Sequence, residues 1–124
     1  MKLMIVDDHR GMRELIRELA GPLATEVREY TDGEQAVNEC LSYRPDMITM
    51  DLQMEGMDGL TAAGILRSRA QSAYIVIVSQ FDTAVLRQWA ARRGVDHFVS
   101  KDHLIQLRGH FEAARKSCAA RPPA

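Results

Sequence analysis

Five short strand-like runs punctuate this chain, and four of them stop at a residue that carries chemistry. KLMIV (2–6) runs into Asp7 and Asp8, MITM (47–50) into Asp51, YIVIV (74–78) into Ser79, and HFVS (97–100) into Lys101. The other run, EVREY (26–30), alternates apolar and polar residues. A near-continuous apolar run marks a strand buried on both faces. Between the runs, apolar residues recur at helical spacing: Met12, Leu15, Ile16, Leu19 and Ala20, then Ala36, Val37, Cys40 and Leu41. Apolar strands alternating with amphipathic helices imply a mostly parallel sheet with helices on both faces. Right-handed crossovers then make every strand point the same way.

The punctuation agrees. Gly21-Pro22 stops the first helix, Asp32 in the Thr31-Asp32-Gly33 turn offers a cap for the second, and Pro45-Asp46 breaks it. A glycine-bearing loop, LQMEGMDG (52–59), leads to a helix over about 59–70. Asp82 is the expected cap of a fourth helix, which ends at Gly94. There Val85, Leu86, Trp89 and Ala90 share one arc, with Trp89 expected in or beside the core. Arg93 falls in the same arc, with its head free to reach the helix end. Leu104, Leu107, Phe111, Ala114 and Cys118 line a last helix. Residues 1–118 read as one domain and 119–124 as a tail or linker stub.

Composition excludes several classes. With 46% apolar and 27% charged residues the chain reads as a soluble globular domain, large enough for a real core. A net charge of −1 offers no footprint for direct nucleic-acid contact. No stretch reaches transmembrane length, and the start does not resemble a signal peptide. Cys40 and Cys118 have no metal-like spacing and read as reduced thiols of a cytoplasmic protein. His9, His97, His103 and His110 read as surface residues. Thirteen arginines stand against three lysines, which singles out Lys101 as a place for a compact ammonium.

In open parallel sheets ligands bind outside the carboxyl ends of the strands. That edge gathers Asp7, Asp8, Asp51, Ser79 and Lys101 by topology alone. Taken singly, each has an ordinary explanation. Asp8 suits a cap for the helix starting near His9, Asp51 a loop aspartate, Ser79 a turn residue and Lys101 a solvated charge. Five on one edge are poorly explained that way. Converging carboxylates need a cation, and hard oxygen ligands suit Mg²⁺. A lysine and a hydroxyl beside them suit a tetrahedral anion, and a carboxylate can itself accept a phosphoryl group.

IVDDH, PDMITMDLQMEGMDG, IVIVS and GVDHFVSKD together resemble the receiver domain of bacterial two-component response regulators, over nearly the whole chain. The resemblance implies a flavodoxin-like doubly wound (βα)5 fold with strand order 2-1-3-4-5. It implies Asp51 as phospho-acceptor from a sensor histidine kinase or phosphotransfer protein. It implies Mg²⁺ held by Asp8, Asp51 and the main-chain carbonyl of Gln53, with Asp7 acting through water. Lys101 would pair with the phosphoryl group, Ser79 would hydrogen-bond it, and Phe98 would change rotamer as Ser79 shifts. The face of the fourth helix, fifth strand and fifth helix would then change for a downstream protein or a homodimer. The chain would be no enzyme in its own right, though it would assist its own phosphorylation and dephosphorylation. Because the sequence begins at Met1 and stops after RPPA, a single-domain regulator is expected. A receiver ahead of a DNA-binding domain is the alternative, and a degenerate receiver acting as a scaffold is another.

Departures from the family pattern cluster around the same edge. Glu55 stands where proline is usual, Gln80 where a small residue is usual, and Asp102 follows Lys101 in place of proline. A cis Lys101–Asp102 bond would cost ~3–4 kcal/mol more than trans, so trans geometry or strain held by the site is expected. Asp102 is also a candidate cap for the last helix. A phosphohydrolase of the haloacid-dehalogenase type needs a second aspartate two residues after the nucleophile; Gln53 stands there and cannot act as acid or base. The resemblance implies that Gln53, Gln80 and Phe81 would govern access of water and phosphodonors. Phe81 is apolar, which predicts slow hydrolysis of the phosphorylated form. Dephosphorylation of Phe81→Glu should therefore run faster than wild type in a phosphate-release time course, and equal rates would remove the idea.

Overall fold

The computed structural model describes residues 1–120 of the 124-residue chain. In chain order these form β1 (Lys2–Val6), α1 (Arg10–Ala20), β2 (Glu26–Tyr30), α2 (Gly33–Tyr43) and β3 (Met47–Met50). There follow α3 (Gly59–Arg69), β4 (Tyr74–Ser79), α4 (Ala84–Arg92), β5 (His97–Ser100), a 3₁₀ segment (Lys101–Gln106) and α5 (Leu107–Ala120). All strands are parallel, in the order β2-β1-β3-β4-β5. The parallel sheet expected from the strand pattern, and the doubly wound flavodoxin-like order implied by the family resemblance, are those observed.

Successive strand residues point to opposite faces, so a parallel sheet covered on both sides needs apolar residues at every position. Leu3, Ile5, Met47, Val76, Val78 and Val99 pack with Ile16, Leu107, Phe111 and Ala114 from α1 and α5. Met4, Val6, Ile48, Met50, Ile75 and Ile77 pack with Ala36, Val37, Ala62, Leu66 and Ala90 from α2, α3 and α4. The sheet separates the two cores. Its register leaves the strand ends nearly flush, with Val6 beside Met50 and Ser79 beside Ser100. This brings the strand-end residues of the sequence onto one edge.

Local details confirm some expectations and correct others. Asp32 caps α2 by accepting from Gln35 N at 2.8 Å. Gly21 ends α1 at φ +53°, a left-handed turn that favours glycine. Arg93 reaches back to the Trp89 carbonyl at 3.2 Å. The cap of α4 is Thr83, whose hydroxyl accepts from Leu86 N at 3.1 Å, not Asp82, which lies one residue too far out and pairs with Arg87 instead. Asp8 does not cap α1; His9 occupies that position without a side-chain cap bond. Asp102 caps nothing either. It lies inside the 3₁₀ segment and donates its own N–H to Ser100 Oγ at 3.2 Å. No peptide bond among the described residues is cis, so Lys101–Asp102 is trans.

Trp89 is 45% exposed rather than core. The nine-residue α4 buries only Ala90, which leaves Val85 and Trp89 on its outer side. His110 is half-buried rather than a surface residue. Its Nδ1 lies 3.1 Å from Tyr74 Oη and its ring 4.4 Å from that of His97. Burial and the neighbouring His97 push its pKa below the ordinary histidine value. α5 continues through Ala120, two residues into the expected tail, and residues 121–124 lie outside the described residues.

One core position breaks the apolar pattern. Thr49 in β3 is buried, and its hydroxyl has no hydrogen-bond partner. A buried orphan hydroxyl is costly, whereas an isosteric methyl is not. Thr49→Val should raise the unfolding free energy by about 1 kcal/mol, read from urea denaturation. A lower midpoint for the variant would show that the hydroxyl is satisfied.

Candidate functional site

The strand ladder itself builds the site. Asp7 N donates to Tyr30 O at 3.0 Å and Asp51 N to Val6 O at 2.9 Å, so the main-chain pairing continues one residue past β1 and β3. The first residue after each strand is thereby held by backbone bonds, and the carboxylates of Asp7 and Asp51 are buried side by side. Lys101 follows β5. Its ammonium lies 3.2 Å from Asp7 Oδ2 and 3.4 Å from Asp51 Oδ2, joining the two carboxylates. Arg13 fixes the turn after β1 by donating to Asp7 O at 2.9 Å, and is itself held by Glu29 at 3.1 Å.

The loop from β3 returns tightly onto Asp51. Gly59 N donates to Leu52 O at 3.2 Å, and a Cβ at Gly59 would sit 2.6 Å from Leu52 Cα and clash with the Asp51 carbonyl. Only glycine allows that approach. Asp58 caps α3 through Thr61 N at 2.9 Å and Thr61 Oγ1 at 2.7 Å, and these donors hold its carboxyl below the usual range.

Burial, followed by the nearby Asp7 charge, pushes the Asp51 carboxyl above its ordinary value, while Lys101 and the Gln53 N–H oppose the rise. Gln53 N lies 3.3 Å from Asp51 Oδ1. Asp7 Oδ1 accepts from His9 N at 2.9 Å, but Asp7 Oδ2 is buried with no aligned hydrogen-bond donor despite the ammonium beside it. Ligand atoms from Asp7, Asp8, His9 and Asp51 all lie within 4.8 Å of one another. Hard carboxylate oxygens, three carboxylates against one ammonium, fit a divalent cation.

A cleft of about 520 Å³ opens over this cluster, lined by Asp8, His9, Asp51, Gln53, Gln80 and Lys101 among others. Glu55, in the family's proline position, lines it too. Not every predicted residue enters the cleft. Ser79 is fully buried, and its hydroxyl accepts from Phe81 N at 3.0 Å. Phe81 lines a separate apolar pocket with Leu52, Leu60 and Leu86. Phe98 packs on the α2–α4 core under the Arg87 guanidinium, 4.9 Å from its ring centroid. The sequence reading missed His9, whose Nδ1 is 2.8 Å from Asp8 Oδ1. Its signal was adjacency to the aspartate pair.

Fold and site together define a flavodoxin-like α/β domain that gathers buried carboxylates and one lysine at the carboxyl edge of its sheet. Residues 3–110 match the response regulator receiver domain, and the chain belongs to that family of two-component signalling. It is 36% identical over 104 residues to the nitrate/nitrite response regulator protein NarL of Escherichia coli strain K12, covering 81% of this chain and 47% of that protein. It is 31% identical over 102 residues to the chemotaxis protein CheY of Listeria monocytogenes, covering 82% of this chain and 86% of that one. The receiver domain of AraT, a response regulator from Geobacillus stearothermophilus, superposes with a TM-score of 0.83 at 30% identity, covering 95% of each chain. This chain thus spans about half the length of NarL and most of CheY.

A carboxyl whose folded-state pKa is raised contributes stability that is fully present below its unfolded value and is lost as pH rises through the folded value. Ionised Asp51 is therefore a net burden at neutral pH. In EDTA at pH 7, Asp51→Asn should unfold at higher urea than wild type, with the gap closing as pH falls below the carboxylate range. A variant less stable at pH 7 would show that the Lys101 pairing outweighs burial.

Proposed function

We propose that this chain is a phospho-accepting receiver whose Asp51 takes a phosphoryl group from a phosphohistidine on a sensor histidine kinase or phosphotransfer protein. The observation that carries the reading is the buried Asp51 carboxylate at the base of an open cleft, flanked by Lys101 and the Asp7–Asp8 pair. An Asp51 oxygen attacks phosphorus, the P–N bond breaks, and the imidazole leaves with its electron pair to be protonated. Mg²⁺, held by Asp8, Asp51 and the Gln53 carbonyl with Asp7 through water, would neutralise charge on the transferring phosphoryl oxygens. Lys101 supplies the protein's own positive charge to the same oxygens.

The response follows from the groups behind the cleft. The Ser79 hydroxyl leaves its bond to Phe81 N for a phosphoryl oxygen. Phe98, behind it, takes the space this frees, and the α4–β5–α5 face is altered for a downstream protein or a second copy. This is a local charge event acting on a two-state element. The chain acts on no separate substrate and only assists its own phosphorylation and dephosphorylation. It works in the cytoplasm, in keeping with the absence among the described residues of a helix long and apolar enough to cross a membrane. Output by direct binding of a downstream protein is the reading preferred here. The match to half of NarL supports a second reading, a receiver ahead of an output region.

Small phosphodonor with Mg²⁺ should add one phosphoryl group to wild type by intact mass and none to Asp51→Asn. Beryllofluoride with Mg²⁺ should change the amide NMR shifts of wild type, around Ser79 and Phe98 above all. No Mg²⁺-dependent change in wild type would leave the scaffold reading in place.

A further inference from the structure

We propose that Glu55 sets which phosphodonors this receiver accepts: its carboxylate, at the mouth of the cleft, slows free dianionic donors relative to donors of lower net charge. The inference rests on the phospho-acceptor reading above and adds a substrate preference to the same site. Glu55 is exposed on the cleft that opens over Asp51, on one rim with Gln53. Its loop returns on itself. Residue 55 lies between the carboxyl end of β3 and a left-handed turn at Gly56, φ +83°, and Gly59 then brings the chain back against the Asp51 main chain.

The charge at that position is uncompensated. Among the described residues the Glu55 carboxylate has no hydrogen bond and no ion pair, whereas Glu14, Glu29, Asp82 and Asp96 are each met by an arginine. The positive groups of the cleft are already engaged, the Lys101 ammonium by Asp7 and Asp51 and His9 Nδ1 by Asp8 at 2.8 Å. On the floor three carboxylates face one ammonium, so with a divalent cation bound the floor is neutral and the charge of Glu55 is what remains. A donor phosphoryl group must pass that charge to reach Asp51. A fixed charge at the mouth of a cleft acts on ions before contact and in proportion to their own charge. At neutral pH acetyl phosphate is a dianion, whereas phosphoramidate is protonated on nitrogen and carries one net negative charge. The transfer is alike for both. An Asp51 oxygen bonds to phosphorus and the bond to the leaving group breaks, releasing acetate or ammonia with the electron pair. Gln53 and Gln80, being uncharged, obstruct both donors alike, and Glu55 alone on this rim distinguishes them by charge.

The rival role is that Glu55 is one more ligand of the cation. Phosphorylation of the full chain by acetyl phosphate and by phosphoramidate, each with Mg²⁺ at low salt, is followed by intact mass. The proteins are wild type, Glu55→Gln, Glu55→Asp and Glu55→Lys. Half-saturation by Mg²⁺, and by beryllofluoride with Mg²⁺, is read from amide NMR shifts. Glu55→Gln should raise the rate with acetyl phosphate about fivefold and with phosphoramidate about twofold. Glu55→Lys should go further in the same order, and Glu55→Asp should match wild type. In ~0.5 M salt the differences should close. Half-saturation by beryllofluoride, an anion, should fall about twofold in Glu55→Gln. Equal rises with both donors would overturn the assignment in favour of a steric or loop effect. So would a gain that persists undiminished in high salt, or a Mg²⁺ affinity reduced about tenfold or more, which would make Glu55 a cation ligand. Phosphorylation of every protein with unchanged donor preference removes only the Glu55 assignment. No phosphorylation of any of them by either donor removes the phospho-acceptor reading as well.

Discussion

The Lys101 ammonium, shared between Asp7 and Asp51, is the interaction on which the site depends. Main-chain bonds past the ends of β1 and β3 place two buried carboxylates beside each other whether or not their charges permit it. The positive charge comes from β5, two strands away from β3 in the sheet order. At ~4.8 Å between neighbouring strands, only a long, slender side chain spans that gap across the end of β4. Lysine meets this need with a flexible four-carbon stem and a compact point charge that fits between the two carboxylates. It is one of only three lysines in a chain with thirteen arginines.

The remaining geometry serves to keep that cluster both buried and reachable. Gly59 lets the loop after β3 fold back until the start of α3 touches the main chain of Asp51, so that residue is clamped from both sides. The rim is looser in composition, with Gln53, Glu55 and Gln80 standing over a fixed floor.

Much of this was legible in the sequence because two periodicities coincide. Period-one apolar runs identify doubly covered strands, and the residue after each run falls on one edge once all strands are parallel. Asp7, Asp8, Asp51 and Lys101 were found that way. What escaped was anything decided by a single residue of offset or by packing between distant segments. Thr83 rather than Asp82 caps α4, and Ser100 rather than Asp102 receives the N–H at the start of the 3₁₀ segment. Trp89 lies outside because α4 approaches the sheet through one small residue, which a helical arc drawn from sequence does not reveal. His97 and His110 have no meaningful spacing along the chain, and β5 against α5 brings their tilted rings to 4.4 Å. Family resemblance supplied the roles of Ser79 and Phe98, which no periodicity contains.

The unequal anchoring of the last two helices has a mechanical consequence. α5 sinks Leu107, Phe111 and Ala114 into one core, whereas α4 is attached to the other by Ala90 and the half-buried Leu86. An element with so little buried apolar surface resists displacement weakly. On a surface formed by both, α5 is the fixed wall and α4 the compliant panel. Val85 and Trp89, carried on the outer side of α4, belong to the weakly anchored element and not to the fixed wall.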